Sequence, residues 1–244
     1  MTNRLMTWKM LAGIGCLVAG TIAHGGSALA EESVRDPFEG FNRGMFAVNE
    51  GLDTVIVKPV AQAYDFAVPL PAKAGVGSFF GNIVDVRNVL NNALQGKLAD
   101  AGNDLGRLLI NSTVGIFGLF DVASELGLEK HDEDFGQTLA VWGWDDSSFL
   151  FWPLIGPRTV RDTGGWIVDV YTDPTWYTLH KSAAARNSLV ALRFVDVRAS
   201  LLPTDKVVEE AALDKYSYVR DAYLQRRRNQ IFDGSPPRLV DVLD

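Results

Sequence analysis

Apolar residues recur at three- and four-residue steps through one segment after another, a period that helices satisfy and strands do not. Phe38, Phe41, Met45, Val48 and Leu52 form the first such stripe, widened by Phe46. Ahead of it, Asp36-Pro37-Phe38-Glu39 supplies an N-cap, a proline at the first helical position and a capping-box glutamate. Lys58-Pro59 opens a second helix through Tyr64, and Val68-Pro69-Leu70-Pro71 ends it because neither proline offers a backbone donor. Val76, Phe79, Phe80, Ile83, Val86, Leu90 and Leu94 predict two helices with a bend at Gly81-Asn82. The next helix covers Lys97 to Asn111, with Leu98, Leu105, Leu108 and Leu109 turned inward.

After it, Val114-Gly115-Ile116-Phe117-Gly118-Leu119-Phe120 is apolar but glycine-rich, and suits a buried turn or membrane contact equally well. Leu139 to Trp144 and Phe149 to Trp152 predict a β-hairpin across Asp145-Asp146-Ser147-Ser148. Asp173-Pro174 starts a further helix, Asn187 to Leu202 forms another with Leu189, Leu192 and Val195 inward, and Thr204 caps the last helical stretch to about Phe232. The expected fold class is all-α with one short hairpin, since no alternation of strand and helix supports a parallel sheet.

The first thirty residues carry Arg4 and Lys9, no acid, an apolar run from Met10 to Ile22 and Ala28-Leu29-Ala30, the order of a secretory signal peptide. The expected organisation is a signal at 1–30, a helical domain at 31–232 and a loose tail at 233–244. Cleavage after Ala30 is the main expectation. The sole cysteine, Cys16, is the alternative, as a lipid-attachment site, although Gly13-Ile14-Gly15 before it is a poor signal and Lys9 leaves a short apolar run. Losing Arg4 and Lys9 takes the formal charge from -7 to -9, which excludes a nucleic-acid partner and makes contact with anionic lipid mainly hydrophobic. Beyond the signal, the longest uncharged stretches, Leu108 to Phe120 and Ser147 to Pro157, fall short of the ~20 apolar residues of a spanning helix.

Catalytic signatures are missing from the sequence. It holds no Gly-x-Ser-x-Gly elbow, and a chain starting at Glu31 has no cysteine and only His131 and His180. His131-Asp132-Glu133-Asp134 has metal-ligand types, but adjacent side chains diverge, so it reads as a solvated acidic loop. The glycines of Gly75-Val76-Gly77-Ser78-Phe79-Phe80-Gly81 fit helix packing better than a dinucleotide fingerprint, which needs one residue fewer and a preceding strand. Arg226-Arg227-Arg228 reads as a solvated helix face, with lipid headgroups the alternative. Five of the six tryptophans lie between Trp142 and Trp176. Trp142 with Trp144, and Phe149 with Phe151, each share a strand face, so aromatics on both faces of the expected hairpin point to lipid or a ligand path. Gly143 and Gly156 flank it and would let it bend as a gate.

Several separated motifs resemble those of the MlaA/VacJ family, in the same order. They are Asp36-Pro37-Phe38-Glu39-Gly40-Phe41-Asn42-Arg43, then Lys58-Pro59-Val60-Ala61, Asp134 to Leu139, Pro153 to Asp162, and Tyr218-Val219-Arg220-Asp221-Ala222-Tyr223. The resemblance implies a ring-shaped, nearly all-helical protein seated in the periplasmic leaflet of the outer membrane. It implies phospholipid cargo removed from the outer leaflet through a central amphipathic channel, a trimeric porin and a periplasmic lipid carrier as partners, no cofactor and no catalysis. An exported lipid hydrolase and a structural outer-membrane lipoprotein are the alternatives. The residues expected at the channel or membrane are Phe38, Phe41, Asn42, Arg43, Met45, Phe46, Asn49, Trp142, Gly143, Trp144, Phe149, Phe151 and Trp152.

Overall fold

A computed structural model describes residues 36–145 and 147–237. Two compact units are distinguished, Met1–Pro37 and Phe38–Asp244, and the fold below is that of the second. Cys16 and the expected signal peptide lie outside the described residues, as does the tail beyond Pro237.

The first helix, α1, spans Glu39–Leu52. It begins at Glu39 with Phe38 as N-cap and no side-chain cap bond, two residues later than the Asp36 cap predicts. A π-helical turn, Asp53–Val57, joins it without a break to α2, Lys58–Ala67. Such turns need local support. Here Arg198 grips both carboxylate oxygens of Asp53 at 2.7 Å.

Pro69 ends this run as the sequence predicts, and α3 follows as one helix, Leu70–Leu94, rather than two. The expected break at Gly81-Asn82 is bridged because Asn82 turns inward and donates to Ser112 Oγ at 2.9 Å. α4 spans Leu98–Thr113 and packs along α3. The turn after it brings Gly118 so close to Asn82 that any Cβ at Gly118 would collide with that side chain. Gly118, Ile116 and Phe117 all have positive φ, which is uncommon for a bulky residue and marks this apolar turn as strained.

The later helices start at short polar caps that accept a backbone N–H. Asp121 opens α5 (Val122–Glu125), Asp134 opens α6 (Phe135–Val141), and Thr159 opens α7 (Val160–Thr172). Asp173, Ser182 and Asp214 do the same for α8 (Pro174–Thr178), α9 (Ala183–Ala211) and α10 (Lys215–Ile231). Thr204 is not a cap. α9 runs through Pro203, and Arg198 binds Asp205 across that turn at 2.8 Å.

The hairpin is displaced from its expected position. β1 is Phe149–Trp152 as predicted, but its antiparallel partner β2 is Gly156–Thr159, with Leu150 opposite Arg158 and Phe151 opposite Pro157. Of the stretch expected as the first strand, Leu139 to Val141 ends α6 and Trp142-Gly143 form a turn, since Asp134 accepts from Gln137 N at 2.9 Å and starts a helix there. Against α6, Gly165 of α7 lies on the backbone of Gly136, an approach no side chain would allow. Contacts of α3 with α6, α6 with α10, α10 with α9, and α9 with α3 close a circuit of helices.

The polarity of the buried interior is inverted. The apolar core is a small cluster of Phe149, Phe151 and Tyr216, joined by Met45, Phe46, Val219, Tyr223 and Leu224. Elsewhere among the described residues the fully buried large side chains include Arg107, Gln137, Asn88, Asn92, Asp85 and Asp104. On α4 the buried residues are Ala101, Asp104, Arg107 and Asn111. Leu98, Leu105 and Leu109, expected inward, are exposed by 72%, 45% and 57%. The apolar period was legible, but its direction depends on what surrounds the helix, which periodicity alone does not encode.

Candidate functional site

Most buried polar side chains find partners, although Asp85 Oδ2, Asn92 Oδ1 and Arg107 Nε are among the atoms left without a hydrogen bond. Asn92 donates to Asp104 Oδ2 at 2.8 Å, and Asn88 donates to the His131 carbonyl at 2.7 Å while its own oxygen accepts from Glu133 N at 3.0 Å. Arg107 binds both oxygens of Asp121 and donates to the Leu128 carbonyl at 2.7 Å. His131 Nδ1 lies 2.8 Å from Asp104 Oδ1. This corrects the reading of residues 131–134 as a solvated loop. Glu133 is buried, and burial pushes its carboxyl up despite Gln95 and Lys97 beside it.

A second network joins the C-terminal helix to the hairpin region. Arg227 donates to Asp134 at 2.7 and 2.6 Å and to Asp162 at 2.8 Å. Tyr223 donates its hydroxyl to Asp162 at 2.6 Å, and Arg161 binds the same carboxylate. Burial pushes Asp134 up, yet the Arg227 bonds outweigh it and hold the group at about 2. Arg227 is therefore no part of a solvated face, although Arg226 is exposed and only loosely paired with Asp132. Adjacent helical residues point about 100° apart, so one arginine of three can be buried while the next is not.

Two clefts open between these networks. One, of ≈ 370 Å³, is apolar and lined by Leu90, Ala93 and Leu94 of α3, Phe135 of α6 and Val168 of α7. The other, of ≈ 230 Å³, lies between α3, β2, α7 and α9 and is lined by Arg87, Arg158, Trp166, Asp173 and Arg193. Asp169 borders both. Burial pushes its carboxyl up to about 6, against the pull of Arg87, and both its oxygens accept from Phe135 N at 3.2 Å. An arginine-lined compartment thus abuts an apolar one across a single carboxylate.

The residues singled out in the sequence fall elsewhere. Asn42 is fully buried, donating to the Phe149 carbonyl at 3.1 Å and accepting from Phe151 N at 2.9 Å, so it fastens α1 to the edge of β1. Arg43 pairs with Glu39 and Asp214 and covers the Tyr216 ring at 4.5 Å. Asn49 accepts from Leu154 N at 2.9 Å in the hairpin turn. Phe149 and Phe151 face the core, with Met45 and Phe46 against them, rather than a path. Trp142 and Trp144 share no strand. Trp142 follows the end of α6 and donates to the Leu94 carbonyl at 3.1 Å, next to the positive-φ Gly143, and both tryptophans stay about half exposed. Trp152 donates to Thr163 at 3.1 Å, and its ring meets the half-exposed Phe41 edge-on at 6.4 Å. Phe38 and Phe41 remain outward, at 46% and 47% exposure.

Arg87, Arg158, Asp169 and Arg193 were missed because they come from four separate elements. The only trace was Arg158, which stands within the Pro153 to Asp162 motif.

The comparisons with known proteins agree with this architecture. A solved structure from work on the structural basis for maintenance of bacterial outer membrane lipid asymmetry superposes with a TM-score of 0.69 at 32% identity, over 82% of this chain and 99% of the other. The intermembrane phospholipid transport system lipoprotein MlaA of Escherichia coli (strain K12) is 34% identical over 218 residues, 87% of this chain and 82% of that protein. An uncharacterized protein of Rickettsia bellii is 35% identical over 199 residues, 81% of this chain and 77% of its own length. Residues 34–230 match the model of the MlaA lipoprotein family, and the chain belongs to that family.

Proposed function

We propose that this protein is a phospholipid-transport component at the periplasmic face of the outer membrane, removing misplaced phospholipid from the outer leaflet and preserving lipid asymmetry. The observation that carries the reading is the inverted polarity together with the paired clefts. A phospholipid needs polar partners for its head beside an apolar space for its tails, and the arginine-lined and leucine-lined compartments supply the two side by side.

Among the described residues, no helix is long and apolar enough to cross a membrane. The outward leucines of α3 and α4, with Val114, Ile116 and Phe117 of the strained turn, suit a protein seated in one leaflet. Each such side chain favours lipid over water by ~1.5 to 3 kcal/mol. The chain does no chemistry in this reading. A trimeric porin would hold it in the membrane, and a periplasmic carrier would take the lipid onward. The relatives named as parts of an intermembrane phospholipid transport system support the assignment.

The test is twofold. Protein purified from membranes in mild detergent should retain phospholipid detectable by native mass spectrometry, and loss of the gene should raise phospholipid in the outer leaflet. A deletion strain with normal leaflet composition and no second family member would refute the proposal.

A further inference from the structure

The arginine-lined cleft holds three cations in unequal situations. Arg87 donates to the Glu133 carbonyl at 2.9 Å and reaches Asp132 at 3.3 Å. Arg193 donates to Asp173 at 3.1 Å. Arg158 differs from both. No carboxylate among the described residues lies within ion-pair distance of its guanidinium, and its Nε is sealed from solvent with no acceptor. Its guanidinium stands over the Trp166 ring, 5.3 Å from the centroid. In the ladder Arg158 stands opposite Leu150, so it leaves the hairpin on the face away from the Phe149 and Phe151 core.

A guanidinium held in this way is costly, because burial disfavours the charged form and the attraction of Tyr223, Asp134 and Asp162 offsets that only in part. Burial accordingly pushes Arg158 below the usual arginine range. Five donors in a planar fork match the oxygens of a phosphate.

We propose that Arg158 binds the phosphate of a phosphodiester lipid, with Arg87 and Arg193 beside it, while the acyl chains enter the apolar cleft beyond Asp169. The lining charges fit a monoanion. Three arginines stand against Asp169 and Asp173, leaving one positive charge when both acids are ionised. The two acids also give a cationic ammonium, where the headgroup has one, a place opposite the phosphate. This inference rests on the transport reading and adds the residue that selects the cargo.

The test uses the full-length purified protein in neutral detergent. Short-chain phosphatidylglycerol, the matching diacylglycerol without phosphate, and inorganic phosphate are titrated against the wild type, Arg158→Met and Arg158→Lys. Phosphatidylglycerol should bind the wild type best, at least ~10-fold more weakly to Arg158→Met, and to an intermediate degree to Arg158→Lys. Diacylglycerol should bind wild type and variants alike. Arg158→Met should melt no lower than the wild type, since it removes a partly buried charge that has no carboxylate within ion-pair distance among the described residues. Unchanged phosphatidylglycerol binding in Arg158→Met would overturn the assignment, and so would a melting point several degrees lower, which would make Arg158 a support of the fold. Inorganic phosphate binding as tightly as the lipid would make this a free-anion site and overturn it too. If the wild type bound neither lipid, the transport reading would fall and this inference with it. If both lipids bound and Arg158→Met changed neither, only the inference would fail.

Discussion

Replacing Arg227 with methionine tests whether the closed circuit of helices depends on one buried ionic junction. Arg227 is 6% exposed and makes three short bonds to two carboxylates carried on α6 and α7. Methionine fills similar space but leaves those carboxylates buried without their cation. Breaking such a pair from one side costs about 3 to 5 kcal/mol. The lower end applies here, because Asp162 keeps Arg161 and Tyr223, and Asp134 keeps the Gln137 N–H. At roughly 2–4 °C per kcal/mol for a domain of this size, a loss of about 3 kcal/mol lowers Tm by about 6–12 °C.

The assay is thermal unfolding in mild detergent, followed by circular dichroism, for the wild type, Arg227→Met and Arg227→Met with Asp134→Asn. The second substitution should recover at least ~1 kcal/mol, because it removes one of the two stranded charges. Asp134 is held at about 2, below its ordinary 3.8, so its contribution is full above about pH 4 and is lost as pH falls through about 2. The penalty of Arg227→Met should shrink over the same window. A variant melting within 2 °C of the wild type at pH 7, at the precision of ~1 kcal/mol, would show that the junction does not hold the circuit.

Asp169, raised by burial from 3.8 to about 6, has the opposite linkage, its stabilising share being full below 3.8 and lost as pH rises through 6. At 1.36 kcal/mol per unit, ionising it costs about 3 kcal/mol, so Asp169→Asn should raise Tm at pH 8 and change little at pH 4, and a variant destabilised equally at both would contradict this. Leu105→Asn with Leu109→Asn should leave Tm in detergent almost unchanged while weakening membrane retention by ~3 to 6 kcal/mol, and a salt-resistant membrane fraction equal to that of the wild type would count against embedding by this face. Intact-mass measurement should place the mature N-terminus at Glu31 without acyl chains, and a diacylglyceryl-modified Cys16 would refute that.

From the sequence, Asn42 is expected at the channel or membrane. The fold gives it a structural role, because both ends of its amide are engaged with β1 and an apolar replacement would strand backbone groups there. The hairpin shows the same limit from another side. Leu139 to Val141 carries strand-like side chains, yet one capping carboxylate at Asp134 was enough to wind the segment into α6, and β1 then paired with the next available run, Gly156–Thr159.

By itself the sequence determined that the chain is helical, where α2, α4 and α8 start, that a hairpin strand begins at Phe149, and which family the motifs belong to. Those properties are written in local spacing and capping residues. Only the tertiary structure decided which way the stripes face, that Asn88, Asp104 and Arg107 lie inside while Leu98, Leu105 and Leu109 lie outside, and that arginines from α3, β2 and α9 meet at one cleft. A period fixes that a helix has two unlike faces. Which of them is buried follows from the other helices and the surrounding medium, and neither is contained in the residues of one turn.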